Sequence, residues 1–181
     1  MGAPDVRSAD AEVLIEDFAS VIGAAMGWPP MAGRTAGVLM LAEEAMTAQQ
    51  LQAEVGASAG FMSEITRLLI ANGVVRRVKA PGTRRFVYRW REDAWVGCLA
   101  HQLDQVRELR DLAHRARATG ADLPDTQRRR TGDMADYYDF MVARLTAMLQ
   151  DYRASLGAAA DPPPRTEVTG PRPGVRVPVD R

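Results

Sequence analysis

Cysteine occurs once in these 181 residues, at Cys98, so an intrachain disulfide is excluded. No apolar run approaches the roughly 18 residues a membrane-spanning helix needs, and no charged-then-apolar leader opens the chain; a soluble, cytoplasmic protein is expected. Histidine stands only at 101 and 114. On one helix those positions lie about 220° apart, so they cannot share a metal. Cys98, His101 and Asp104 do step by three, but no Cys or His elsewhere closes a tetrahedron, and no metal site is expected. Cys98 sits among Trp95, Leu99 and Ala100, which reads as a buried inert thiol rather than an oxidation sensor. A glycine-rich phosphate loop, a carboxylate pair in a polar loop and a nucleophile–base spacing are all missing, so neither an enzyme nor a cofactor is expected.

Net charge is also lacking, at formally zero, but the sum hides a segregation. Residues 1–57 hold two Arg against eight acids. Residues 58–91 hold Arg67, Arg76, Arg77, Lys79, Arg84, Arg85, Arg89 and Arg91 against Glu64 alone. Such a local surplus is what phosphate neutralisation requires, whatever the overall balance. With 46% hydrophobic residues, the chain can bury one core, or a small domain plus a helical attachment.

The pattern along the chain predicts mainly α structure with a small β-wing: a winged helix-turn-helix plus a helical dimerisation domain. Residues 1–9 read as a flexible N-terminus. Asp10 is placed to cap a helix over 10–27 with Leu14, Phe18, Val21, Ile22 and Ala25 at three- and four-residue steps, stopped by Gly27-Trp28-Pro29-Pro30. Residues 31–91 form the DNA-binding unit. Its first helix, Met31 to about Ala42, carries Gly33 and Gly37 four apart, a groove where another helix can approach closely. Residues 92–157 give two long amphipathic helices: one with Trp95, Leu99, Leu103, Val106, Leu109 and Ala113, the other with Met134, Tyr137, Tyr138, Met141, Leu145, Met148 and Tyr152. These stripes are long for a small domain and need a covering surface, for which a twofold copy of the same chain is the simplest candidate. Leu14, Phe18, Leu103, Val106, Met141, Leu145 and Met148 are the expected dimerisation residues. Residues 158–181 are Ala, Pro, Gly and charge, and read as a disordered tail.

Within 47–91, a helix TAQQLQAEVG turns through Ala57-Ser58 into a second helix ending at Asn72-Gly73. Ser58 is placed as its N-cap. At 100° per residue, Phe61, Met62, Ile65, Leu68 and Leu69 share one face, while Gly60, Ser63 and Arg67 lie on a narrow, small opposite face suited to a major groove. The ribbon VVRRVKAPGTRRFVYRW follows, with Pro81-Gly82 supplying the fixed and the positive φ of a type II turn. Arg76, Arg77, Lys79, Arg84 and Arg85 flank that turn, and a guanidinium-bearing loop can enter the minor groove, where narrowness concentrates negative potential. Double-stranded DNA with a pseudo-palindromic operator is the expected partner, and no membrane. The rival reading is a protein-interaction module whose basic wing docks an acidic partner.

The segments PPMAGRTAGVLML (29–41), LQAEVGASAGFMSEITRLLIANGVVRRV (51–78) and PGTRRFVYRWREDAW (81–95) resemble the MarR-type regulators, and more narrowly their GbsR-like branch, with a likeness to mycobacterial-type efflux regulators. The likeness spans about residues 10–155. It implies a dimeric winged-helix repressor in which the N-terminal helix and the last two helices make the dimer. Ser58, Gly60, Ser63 and Arg67 match the family's recognition helix, and Arg84 and Arg85 its wing. The chain departs from the family at Ala59 and Phe61, where polar residues are common, so direct base reading is expected to be sparse. The resemblance also implies release from DNA when a small ligand enters between the dimer and winged parts. A choline-type cation would need an aromatic cage, to which Trp28, Trp95, Tyr137, Tyr138 and Phe140 could contribute. An apolar pocket lined by Met and Leu is the stronger expectation, with Trp95, Leu99, Tyr137, Tyr138 and Met141 as candidate lining.

Overall fold

The computed structural model describes residues 9–160; the expectations for the N-terminal flexible segment and for the tail beyond Ala160 lie outside the described residues. Helix α1 (Ala9–Asp17) continues without interruption through a π-helical turn (Phe18–Ile22) into α2 (Gly23–Met26). Asp10 is not the cap. It lies in the first turn with Glu12, where a carboxylate still suits the helix dipole. Gly27, at φ 65°, ends the rod, and Pro30 opens α3 (Pro30–Leu41) at the first helical position, where its missing N–H costs nothing.

Helix α3 is the centre of the core. Ala32, Gly33, Thr35, Ala36, Gly37, Val38 and Leu39 are all buried, and the Thr35 hydroxyl donates to the Met31 carbonyl at 2.8 Å. The glycine pair provides the close approach its spacing predicts. A Cβ on Gly33 would sit 2.3 Å from the Phe18 carbonyl oxygen, and one on Gly37 would sit 3.0 Å from the Phe18 Cβ. The consequence is a correction: Phe18 is buried inside its own protomer, with Ile15 and Ala19, and is not free to meet a second chain. The rod is apolar on two sides. Its other side, with Val13, Leu14 and Val21, is exposed. Arg34 of α3 ties the rod down further, its guanidinium donating to Glu12 and Glu16.

The winged helix-turn-helix continues with β1 (Met46–Thr47), α4 (Ala48–Val55), α5 (Ala59–Ala71), β2 (Val75–Lys79) and β3 (Phe86–Trp90). The short β1 was not expected from the sequence; it pairs antiparallel with β3, giving the sheet order β1-β3-β2. Thr47 and Gln50 form a reciprocal capping box that starts α4. Ile15, Trp28, Leu39, Leu51, Met62, Ile65, Leu69 and Val75 belong to one core beneath these elements. Trp28 is therefore part of the core, donating its indole N–H to Asn72 Oδ1 at 3.3 Å.

After the wing, α6 (Ala94–Thr119), a short 3₁₀ turn (Gly120–Asp122) and α7 (Asp125–Ala160) make an antiparallel hairpin. Helix α7 runs three residues beyond the expected end at Gly157. Ala113 and Ala135 are fully buried, and His114–Asp139 (2.9 Å) and Arg117–Asp136 (3.2 Å) fix the register between the two helices. The hairpin meets the winged unit through a contact of two backbones: a Cβ on Gly97 of α6 would stand 2.2 Å from the carbonyl oxygen of Gly73, just past α5. No helix among the described residues is long and apolar enough to cross a membrane.

Candidate nucleic-acid interface

Ser58 caps α5, its Oγ accepting from the Phe61 N–H at 3.3 Å. That bond satisfies an orphan donor of the first turn, so the hydroxyl's first role is local. Met62, Ile65, Thr66 and Leu69 anchor the inner side of α5, which leaves Ala59, Gly60, Ser63, Glu64 and Arg67 exposed. Nothing stands within 4 Å of where a Gly60 Cβ would be, so a nucleic-acid backbone or base edge can come close. Arg67 lies along its own helix, Nε donating to the Ser63 carbonyl at 3.2 Å. Phe61 is the exception to the sequence reading. It is assigned there to the covered side, yet it is 38% exposed, because its phase puts it on the flank of the core stripe.

The wing turn forms as expected: Gly82 has φ 69° and the Thr83 N–H donates to the Ala80 carbonyl at 3.2 Å. Arg84 and Arg85 stand exposed at its tip. The strand register divides the other basic residues between two faces. Arg77 lies opposite Tyr88 and Lys79 opposite Phe86, on one face, whereas Arg76 lies opposite Arg89 on the other. Arg77 is held by stacking, its Cζ 4.1 Å above the centroid of the Phe86 ring. This cation–π contact was missed in the sequence; the diagonal placement of residues 77 and 86 across a hairpin is the signal that could have shown it. Arg76 instead contributes to the positive field at Asp93, at the base of the wing. The five basic residues therefore do not form one surface.

At that base Arg91 donates twice to Asp93, at 2.9 and 2.6 Å. The pairing holds the Asp93 carboxyl below the usual carboxylate range. Trp95 stacks edge-on against Trp90 at a centroid separation of 5.7 Å. Burial raises the Cys98 thiol above its ordinary value. The residues expected to line a ligand site are not brought together. Trp95 and Leu99 lie at the base of α6, while Tyr137, Tyr138 and Met141 lie near the register set by His114 and Arg117, roughly 20–30 Å further along at ~1.5 Å per residue. Tyr137 and Tyr138 pack edge-on against each other, and Phe140 stacks under Arg144 on the outside of α7. A cleft of about 300 Å³ does open between the end of α5 and the hairpin, lined by Ile70, Gly73, Arg91, Asp93, Gly97, His101, Asp104 and Arg153 among others. Its lining is charged, in contrast to the Met- and Leu-lined pocket expected. Among the described residues no group of three or more His, Cys, Asp or Glu side chains could hold a metal ion.

The expected dimerisation residues also divide. Leu103 is buried within the hairpin, as Phe18 is under α3; Val106, Met141 and Leu145 are half-buried; Leu14 and Met148 are exposed.

The family model described as MmpR5-like MarR family transcriptional regulator matches residues 93–155, which is the hairpin. The HTH-type transcriptional regulator MmpR5 of Mycobacterium tuberculosis is 29% identical over 128 residues, covering 70% of this chain and 78% of that protein. A solved crystal structure of a transcriptional regulator superposes with a TM-score of 0.73 at 26% identity, covering 80% of this chain and 99% of that one. The chain is thus similar to MarR-family transcriptional regulators, in its hairpin by the family model and over most of its length by the relative and the solved structure. The likeness runs to the MmpR5-like branch, and the fold, mainly α-helical with a small β-wing, is that of a winged helix-turn-helix with a helical attachment. MarR-family regulators generally bind DNA as dimers.

Proposed function

We propose that this protein is a DNA-binding transcriptional regulator of the MarR type, a C2 homodimer and a repressor, holding two α5 helices about 34 Å apart, one DNA turn, on a pseudo-palindromic operator. The observation that carries the reading is the long hairpin with unmatched apolar residues. Leu109 and Leu112 of α6 and Tyr137, Phe140 and Met148 of α7 are exposed on elements too long for the DNA-binding unit to cover. Exposed Val13, Leu14 and Val21 of the N-terminal rod extend the same need. A second copy offers the matching surface at no cost in new sequence.

Ser63, Arg67 and the open edge at Gly60 are assigned to the major groove. Arg84 and Arg85 are assigned to the minor groove or its phosphates, with Arg77 and Lys79 behind them. Release by a small ligand is supported by the cleft beside Gly73, which touches the end of α5, the exit of the wing and both hairpin helices at once. A ligand there acts only if it prefers the spacing that DNA rejects. The lining, with Arg91, Arg153, Asp93 and Asp104, favours a polar molecule over an apolar one.

A gel shift with DNA from upstream of the regulator's own gene tests the central reading, alongside light scattering. The expected results are a saturable, sequence-selective shift and a mass near 40 kDa, twice the 19.8 kDa chain. A 19.8 kDa species at micromolar concentration refutes the dimer. Absence of any selective shift would transfer the wing to the docking of an acidic protein.

A further inference from the structure

Phe61 is the third residue of α5, and its large apolar ring is 38% exposed at the end of the helix that leads toward DNA. The core does not require it, since Met62, Ile65 and Leu69 fill the inner side and are each no more than 2% exposed. Its position is fixed, because the Ser58 cap holds its backbone N–H. Its neighbours Ala59 and Gly60 are the smallest side chains available, and both are exposed, so nothing on this end of the helix rises beside the ring to keep a base away. Within this first turn the one side-chain hydrogen-bonding group, the Ser58 hydroxyl, is engaged in the cap, and the polar side chains of Ser63 and Arg67 come one and two turns further along. What this turn offers the major groove is therefore mainly an apolar surface.

Of the four base edges exposed in the major groove, thymine alone presents an apolar group, its C5-methyl, and an aromatic side chain can pack on it. We propose that Phe61 is a specificity-determining residue that selects thymine in each half-site by covering that methyl group. This rests on the DNA-binding reading above and adds to it the base that the first turn of α5 prefers.

The test uses full-length protein to enrich a binding site from a pool of random duplexes. Each thymine of the enriched site is then replaced singly by deoxyuracil, which deletes the methyl and leaves the hydrogen-bonding edge intact. At one thymine or more in each half-site the parent should lose roughly fourfold in affinity, the equivalent of ~0.8 kcal/mol for one buried methyl-sized group. The same replacement should leave Phe61→Ala unaffected, with Phe61→Leu intermediate. Because the ring is partly covered, Phe61→Ala should melt somewhat below the parent, but the readout is the ratio of thymine to deoxyuracil affinity within one protein, and the deoxyuracil series on the parent needs no variant at all. An enriched site at which every deoxyuracil is tolerated overturns the assignment while the DNA-binding reading stands. So does a Phe61→Ala protein that keeps the parent's sensitivity. Failure of the parent to enrich any sequence overturns both.

Discussion

Gly97→Ala places one methyl group where two backbones touch. The new Cβ would stand 2.2 Å from the Gly73 carbonyl oxygen, 2.9 Å from its carbon and 3.1 Å from its Cα. None of these atoms can rotate aside as a side chain would, and Gly73 is itself held at φ 73°. Since ordinary contact begins near 3.4 Å, α6 and the end of α5 must separate by about 1 Å. Alanine in a helix recovers up to ~1 kcal/mol relative to glycine. Overpacking a tight contact costs typically about 1–3 kcal/mol, and a clash of backbone with backbone belongs at the upper end. A net loss of ~1–2 kcal/mol follows. At roughly 2–4 °C per kcal/mol for a chain of this size, the melting temperature should fall by several degrees. Gly132→Ala is the control, because nothing lies within 4 Å of its added Cβ; it should gain about 0.5–1 kcal/mol and melt slightly higher. Circular dichroism melts of the two variants beside the parent decide the matter. If Gly97→Ala melts at or above the parent while Gly132→Ala rises, the hairpin does not pack on Gly73 as described. The same shift alters how the hairpin presents α5, so Gly97→Ala should also weaken DNA binding while Gly132→Ala should not.

Arg84→Ala and Arg85→Ala should weaken binding to operator and random DNA alike and reduce the salt slope by about one unit per lost phosphate contact, whereas Arg76→Ala, on the opposite face of the ribbon, should leave that slope unchanged in the same titration. Ser63→Ala and Arg67→Ala should each cost roughly 1–3 kcal/mol on the operator and little on random DNA, read by competition gel shifts. Met148→Asp puts an unpaired charge on a side chain that is 54% exposed in one protomer, so the single chain should stay folded by circular dichroism while light scattering reports a monomer. Cys98, with its thiol raised by burial, should alkylate with iodoacetamide at neutral pH far more slowly than a free thiol and at the ordinary rate once denatured.

Local signals were sufficient wherever the relevant interaction spans a few residues. The Ser58 cap, the Pro81-Gly82 turn, the wing strands and the end of α5 at Asn72-Gly73 all appear where spacing and residue type put them. Each depends on the φ that one residue prefers or on a donor three positions away. Even the Gly33/Gly37 groove was legible as a close approach. Its occupant was not. Whether the rod over residues 9–26 turns Phe18 or Leu14 inward depends on contacts with α3, and both choices have acceptable helical spacing. The same limit applies to the hairpin, where stripes on α6 and α7 announced burial without saying which members the partner helix would cover. The ligand site failed for a related reason: Trp95 and Tyr137 belong to adjacent helices but to distant heights, and only the antiparallel register separates them.

The sequence by itself determined that a basic helix-turn-helix and wing would form between acidic flanks, because capping, turn chemistry and charge are local properties of residues 47–91. Tertiary structure decided what no local rule contains. It set Arg76 and Arg77 on opposite faces of one ribbon and left Phe61 on the exposed flank of α5. It also joined Gly73 to Gly97 across the fold, because absent side chains leave no pattern in a sequence until a second backbone arrives to fill the space.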